Sequence, residues 1–250
     1  MIVLFIFILL LVVYFLLLFM MSNPYKCELI IGKKGSGKST DITKKALAIK
    51  RHPTYIYYDK DYSKNFFKNF RKARWHIYSN MPLNIPDLEY TLFDGRKLGD
   101  FYPMEHSVLF LDEINLLWDN RQFKEFKPST QEFFRTNRKA RVKCYLYSQT
   151  FDTDKKVRSL VDRMTLCRNF MGIFTMSRQI SKIVTIKESA LNADSQVVDN
   201  LQFAPFFLPG AVKFTFLPKY IKYHDSYTRV TDRPLLQDIR NIDETEILPI

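Results

Sequence analysis

Residues 1–21 hold no charged, amide, Gly or Pro residue. As a helix rising ~1.5 Å per residue, such a run reaches roughly 30 Å, the thickness of a hydrocarbon core, and it predicts a single transmembrane helix. A cleaved signal peptide would want a basic start, a shorter apolar stretch and small residues at the cut. Phe19-Met20-Met21-Ser22-Asn23-Pro24 offers none of these. Lys26, Lys33, Lys34 and Lys38 follow the run closely, and only the terminal amine precedes it. By the positive-inside rule the remainder is expected to face the cytoplasm.

Beyond the run the pattern shortens. Apolar and β-branched or aromatic stretches predict strands over 26–31, 55–58, 75–79, 107–111 and 142–149, with helical stretches over 41–50 and 129–141. Strands alternating with helices predict an α/β fold with a mainly parallel sheet. Val108-Leu109-Phe110-Leu111 is apolar without alternation, as for a strand covered on both faces. After Met164 the stretch Phe203 to Gly210 is too short and Pro-broken to span a membrane, and Phe214-Thr215-Phe216 and Tyr220 to Tyr223 read as added strands. The predicted division is a transmembrane helix (1–21), a P-loop ATPase core (22–170), a β-rich extension of the same domain (171–231) and a polar tail (232–250).

The chemistry concentrates after the first strand. Gly32-Lys33-Lys34-Gly35-Ser36-Gly37-Lys38-Ser39-Thr40 lies between a strand and a helix, the context a phosphate-binding loop requires. Glycines let the backbone curl so that successive N–H groups face phosphate oxygens, and the following helix points its positive dipole end there. Three of the chain's 7 glycines cluster in this loop. Gly32, Gly35, Ser36, Gly37, Lys38, Ser39 and Thr40 are the predicted nucleotide contacts. Lys38 would neutralise the β and γ phosphates of ATP, and the Ser39 hydroxyl would coordinate Mg²⁺.

Such a loop needs an acidic strand end. Ser107 to Leu111 ends in Asp112-Glu113, which predicts Asp112 as the second Mg²⁺ ligand and Glu113 as the base that polarises water for attack on the γ-phosphate. Gln149, closing a later strand, is a candidate γ-phosphate sensor or water-positioning group, with an ordinary strand-end amide as the alternative. Arg138, with Arg135 and Arg158 beside it as candidates, could act as an arginine finger from a neighbouring subunit.

Composition narrows the partners. A formal net charge of +12 favours polyanions, whether nucleic acid or an anionic bilayer. Cys27, Cys144 and Cys167, like the four histidines, are scattered, and suggest neither disulfides nor a zinc site. Lys60, Lys64, Lys68, Arg71, Lys72 and Arg74 interleave with Tyr62, Phe66, Phe67, Phe70 and Trp75, as in a nucleic-acid face with stacking rings. Phe66, Phe67 and Phe70 also fit a helical i, i+1, i+4 stripe, and the expectation is a buried helix face with lysines opposite.

The order and spacing of Gly32 to Thr40, Tyr78 to Leu83, Leu109 to Glu113, Phe134 to Arg141, and Tyr147-Ser148-Gln149 followed by Val157 to Val161 resemble the Zot-like (zonula occludens toxin-like) morphogenesis ATPases of filamentous phages, relatives of the FtsK/HerA motor group. The similarity spans about residues 26–170, the size of one P-loop domain. It implies an ATPase in the inner membrane of an infected host cell that drives single-stranded DNA through an assembly complex as coat subunits are added. A homo-oligomer such as a hexamer, and coat or assembly proteins as partners, come with the resemblance. Familiar members place the transmembrane helix after the ATPase domain, whereas here the apolar run leads, which puts any periplasmic domain in doubt. Two alternatives stay open: a membrane-tethered nucleotide kinase, in which the Arg135 to Arg141 segment would serve as a lid, and a nucleotide-switched scaffold without turnover.

Overall fold

A computed structural model of the chain describes residues 5–11, 13–14, 23–60, 62–118, 126–150, 155–188, 195–208 and 210–223. No helix among the described residues is long and apolar enough to cross a membrane. The expectation of a spanning helix over 1–21 is corrected accordingly. Of that run residues 5–11 and 13–14 are described, all helical and exposed. The predicted polar tail, 232–250, lies outside the described residues.

The centre of the fold is a sheet of nine strands. Strand β1 (Cys27–Ile31) pairs in parallel with β7 (Val142–Ser148) on one side and with β8 (Arg163–Phe170) on the other. Beyond β7 the parallel order continues through β6 (Ser107–Leu111) and β4 (His76–Ser79) to the short β5 (Thr91–Leu92). β6 is buried at every position, as its unalternating apolar run requires. The period-2 alternation of β1 sends Leu29 and Ile31 to one face, where they meet Phe133, Phe134 and Trp118. It sends Ile30 to the other face, against Ile42 and Ala46 of helix α1 (Lys38–Arg51). The first face is closed by α2 (Ile114–Leu117) and α3 (Pro128–Thr136). Helix α4 (Lys155–Leu160) then returns the chain from β7 to β8.

Past β8 the chain reverses. Met171 (φ 56°) and Gly172 (φ 71°) make a left-handed turn of the kind that matches strand twist in a hairpin. β9 (Phe174–Glu188) runs back antiparallel to β8, and its far edge carries β10 (Ser195–Phe203) and β11 (Val212–Phe216) in succession. The segment Tyr220 to Tyr223, expected as a strand, instead contributes to α5 (Pro218–Ile221). Pro218 at the first turn pre-sets helical φ there and outweighs the β preference of the tyrosines.

The strand predicted over 55–58 forms but does not join the main sheet. β2 (Thr54–Tyr58) pairs antiparallel with β3 (Phe70–Arg74) in a separate two-stranded ladder. Pro53 ends α1, and its carbonyl accepts a hydrogen bond from Trp75 N at 2.8 Å, closing the base of this hairpin. Tyr55 stacks on Trp75 with ring centroids 3.8 Å apart. The hydroxyls of Tyr25 and Tyr55 lie 3.0 and 2.7 Å from His106 Nδ1. Phe66–Asn69 is a 3₁₀ turn that leads into β3, so the expected buried helical stripe is replaced by exposed Phe66 and Phe67.

Candidate active site

In a parallel sheet the loops after the carboxyl ends of the strands converge, and here the order of strands decides what meets. β7 lies between β1, which carries the glycine loop, and β6, which carries the acid pair. Gln149, the residue after β7, therefore stands between them.

The loop leaves β1 at Gly32, whose N–H donates to Ser148 O at 3.0 Å. A Cβ at Gly32 would lie 2.8 Å from the Cys167 carbonyl and would also strike Ser36 Oγ. Gly37 starts α1 at φ 90°, and a Cβ there would collide with the Thr175 hydroxyl and press on Leu217. Gly32 excludes a side chain by contact, and Gly37 by contact and by its left-handed backbone as well. Ser36 Oγ is buried and makes no hydrogen bond, an unsatisfied polar atom that a phosphate oxygen would complete. The Lys38 ammonium, nearly buried, donates to Gly32 O and to Lys33 O. Burial lowers its pKa, opposed by the charges of Asp112 and Glu113. Thr40 is buried and Ser39 half-buried on the first turn of α1.

The acid pair is held from two sides. Asn80, following β4, donates Nδ2 to Asp112 O at 2.9 Å and accepts from Asp112 N at 2.8 Å. Burial pushes the Asp112 carboxyl up to about 6, with the Glu113 charge adding to the rise. The Glu113 N–H, which donates to Asp112 Oδ1 at 2.9 Å, and the Lys38 charge oppose it. Glu113 sits at φ 50°, ψ 47°, a left-handed conformation that costs a non-glycine residue ~1–2 kcal/mol. That backbone turns its carboxylate toward Gln149, whose Nε2 donates to Glu113 Oε1 at 2.7 Å. The next residues tie the same two loops: Ser148 Oγ donates to Asn115 Oδ1 and Asn115 Nδ2 to Thr150 Oγ1, each at 2.9 Å.

The structure thus gathers Lys38, Asp112, Glu113 and Gln149 at one edge, and it leaves Arg138 away from them. Arg138 is exposed in the turn between α3 and β7. The adjacent Asn137 donates to Tyr25 O, just before β1, at 3.1 Å, so this turn borders the amino edge of the sheet, opposite the loop. A helix connecting two parallel strands brings the chain back to their starting edge, and any residue just before β7 arrives there. Arg135 is exposed on α3 and Arg158 is half-buried on α4.

Other supports come from segments with no motif. Asn169 Nδ2 donates to Gly35 O at 3.1 Å and Thr175 Oγ1 to Ser36 O at 3.3 Å. The β8–β9 hairpin therefore grips the glycine loop from the side. Asn80 follows the end of β4 and falls in the Tyr78 to Leu83 stretch that carries the resemblance.

A glycine loop between β1 and α1, with an acid pair at the end of a buried strand one place beyond β7, marks a P-loop-like sheet of mixed α/β type. Neither a protein-family model nor a curated protein sequence matches the chain. Among solved structures, the N-terminal domain of zonular occludens toxin from Neisseria meningitidis is similar, with TM-score 0.43 and 15% identity over 80% of this chain and 99% of that one. The genome packaging NTPase of Sulfolobus turreted icosahedral virus 2 in complex with AMPPCP aligns with TM-score 0.42 and 15% identity, over 63% of this chain and 93% of that one. The same NTPase in complex with AMP gives TM-score 0.43 and 12% identity over 70% and 98%.

Proposed function

We propose that the chain is a Mg²⁺-dependent ATPase whose turnover moves nucleic acid during assembly of a virus particle. The observation that carries the hydrolytic part is the Gln149–Glu113 hydrogen bond at 2.7 Å, which orients that carboxylate and supports reading it as a water-activating base. The polyanion part rests on the net charge of +12 and on the sequence resemblance to phage morphogenesis ATPases.

In this reading the loop N–H groups from Gly32 to Thr40 receive the phosphates, and Lys38 exchanges its carbonyl partners for β and γ oxygens. Ser39 and the carboxylate of Asp112 fit a hard cation, being oxygen donors beside a phosphate cradle. Mg²⁺ held there would neutralise charge on the β and γ oxygens. Glu113 takes a proton from water as the water oxygen bonds to the γ-phosphorus and the bond to the β-bridging oxygen breaks, releasing ADP and phosphate. Gln149 holds the Glu113 carboxylate in position for that transfer.

The test is steady-state ATP turnover by the full chain with and without single-stranded DNA. Lys38→Ala is expected to lose nucleotide binding. Glu113→Gln is expected to bind ATP but to turn over at least ~10²-fold more slowly. Equal turnover in wild type and Glu113→Gln would overturn the reading, and turnover indifferent to single-stranded DNA would remove its nucleic-acid half. A phosphate-acceptor requirement for ATP consumption would favour the kinase alternative.

A further inference from the structure

The β2–β3 hairpin leaves the sheet at its amino edge and takes no part in the nucleotide site. Its two faces differ sharply. Tyr55 and Tyr57 turn inward, toward Trp75 and His106. By alternation Ile56, Tyr58, Phe70, Lys72 and Arg74 turn the other way, and Ile56, directly opposite Lys72, is 53% exposed. The 3₁₀ turn extends this outer face. Phe66 lies 5.6 Å from Tyr58 and 5.4 Å from Phe70, centroid to centroid, with Phe67 5.5 Å from Phe66. Phe67 is 77% exposed. A run of rings in mutual contact, with the last projecting into water, is not a satisfied core.

Charge surrounds the rings. Residues 60–74 contain six basic residues and a single acid, Asp61, a net of +5. Lys60, Lys64, Lys68 and Lys72 are exposed, and none has a carboxylate within ion-pairing distance among the described residues. Arg71 lies over the Tyr62 ring at 4.4 Å.

We propose that this outer face binds single-stranded nucleic acid, its unpaired bases stacking on Phe67 and Phe66 and its phosphates pairing with Lys68 and Lys72. The strong positive charge selects a polyanion. The projecting rings select unpaired bases, because a duplex keeps its base faces stacked inside and would meet only the lysines. An anionic bilayer fits less well: the apolar tip is two residues long and bounded by Asn65 and Lys68, so burying it in hydrocarbon would drag polar groups along. The proposal deepens the function proposed above by naming the surface that meets the polymer, while binding itself needs no hydrolysis.

The test is fluorescence anisotropy of labelled oligothymidylate, about 20 nucleotides long so that it exceeds a single-fold site, against the full chain without nucleotide. Phe67→Ala, at an exposed position, is expected to weaken binding ~5- to 150-fold, the loss of one stacked base. The Lys68→Ala/Lys72→Ala double variant is expected to weaken it ~25-fold at 0.1 M salt and to flatten the log–log salt slope by about 1.4, from two lost phosphate contacts. Binding of a fluorescent ATP analogue should not change in either variant. Wild-type affinity in both variants would overturn the proposal. So would a duplex of equal length bound as tightly as the single strand, or variants that lose only phosphatidylserine vesicles. If wild type turns over no ATP while Phe67→Ala still loses the oligonucleotide, the ATPase reading fails and this surface stands.

Discussion

Asp112→Asn should stabilise the protein while inactivating it. The folded chain holds the Asp112 carboxyl at about 6 against an ordinary 3.8, chiefly through burial. A difference of roughly two units corresponds to ~3 kcal/mol at 1.36 kcal/mol each. Between pH 4 and pH 6 the folded state keeps a proton that the unfolded chain has released, so stability falls as pH rises through that window. Above about pH 6 the full cost of an ionised buried carboxylate is present; near pH 5 roughly half of it is. Asparagine is neutral throughout, and its Oδ1 can still accept from Glu113 N–H. The variant is therefore expected to gain on wild type by ~1.5 kcal/mol between pH 5 and pH 8. Any pH-independent cost of the swap cancels in that comparison. Urea unfolding of both proteins at constant ionic strength, at several pH values across the window, reads the gap directly. A gap that is flat or narrows toward pH 8 would refute the reasoning. Mg²⁺-dependent ATP turnover should be lost in the same variant, since the carboxylate that burdens the fold is the one offered to the cation.

Three further perturbations test the surrounding contacts. Asn80→Ala strips the partners from both the N–H and the C=O of Asp112 and should cost ~1–3 kcal/mol for each group left dry; an unchanged urea midpoint would show that Asn80 does not hold the acid strand. Thr175→Ala removes the hydrogen bond to Ser36 O and should raise the KM for ATP ~2- to 10-fold with kcat nearly constant, whereas a loss confined to kcat would contradict a role in shaping the loop. Gln149→Ala should lower kcat ~10-fold or more while leaving KM in place; combined with Glu113→Gln it should add little, and full additivity would mean the two side chains act separately.

The parts of the site legible in the sequence are those written in one contiguous stretch. Gly32 to Thr40 carries its own strand, turn and helix, and Asp112-Glu113 closes an apolar run long enough to declare a buried strand. Gln149 was visible as a strand end, but its bond to Glu113 depends on β7 lying between β1 and β6, a pairing order that local periodicity does not contain. Asn169 and Thr175 were invisible for the same reason, since they reach the loop only because β8 pairs with β1 and β9 folds back on β8. Arg138, read as a finger for a neighbouring subunit's site, is carried by chain direction to the edge opposite its own chain's loop, a placement that local periodicity does not contain either. At residues 66–70 the ring spacing fitted a helix, yet Asn65 Oδ1 accepts from Phe67 N at 3.1 Å and starts a tighter turn, so rings expected inside are exposed.

The loop and the hairpin stand at opposite ends of one strand. Tyr25, two residues before β1, shares its hydroxyl with Tyr55 of the hairpin at 2.8 Å, and Gly32 immediately follows the last residue of β1. Between them Cys27, Leu29, Ile30 and Ile31 are almost wholly buried, and β1 is bonded on both flanks, to β7 and β8. A strand so confined transmits displacement along its axis better than it bends. The carboxyl end is gripped by Asn169 and Thr175, while the amino end meets a hairpin joined by rings and hydroxyls to the rest. Nucleotide-dependent change at the loop would therefore reach the hairpin through β1 and through α1, which begins at Lys38 and ends beside Pro53 at the hairpin's base. Such coupling requires two arrangements of these elements with different affinities at the two ends.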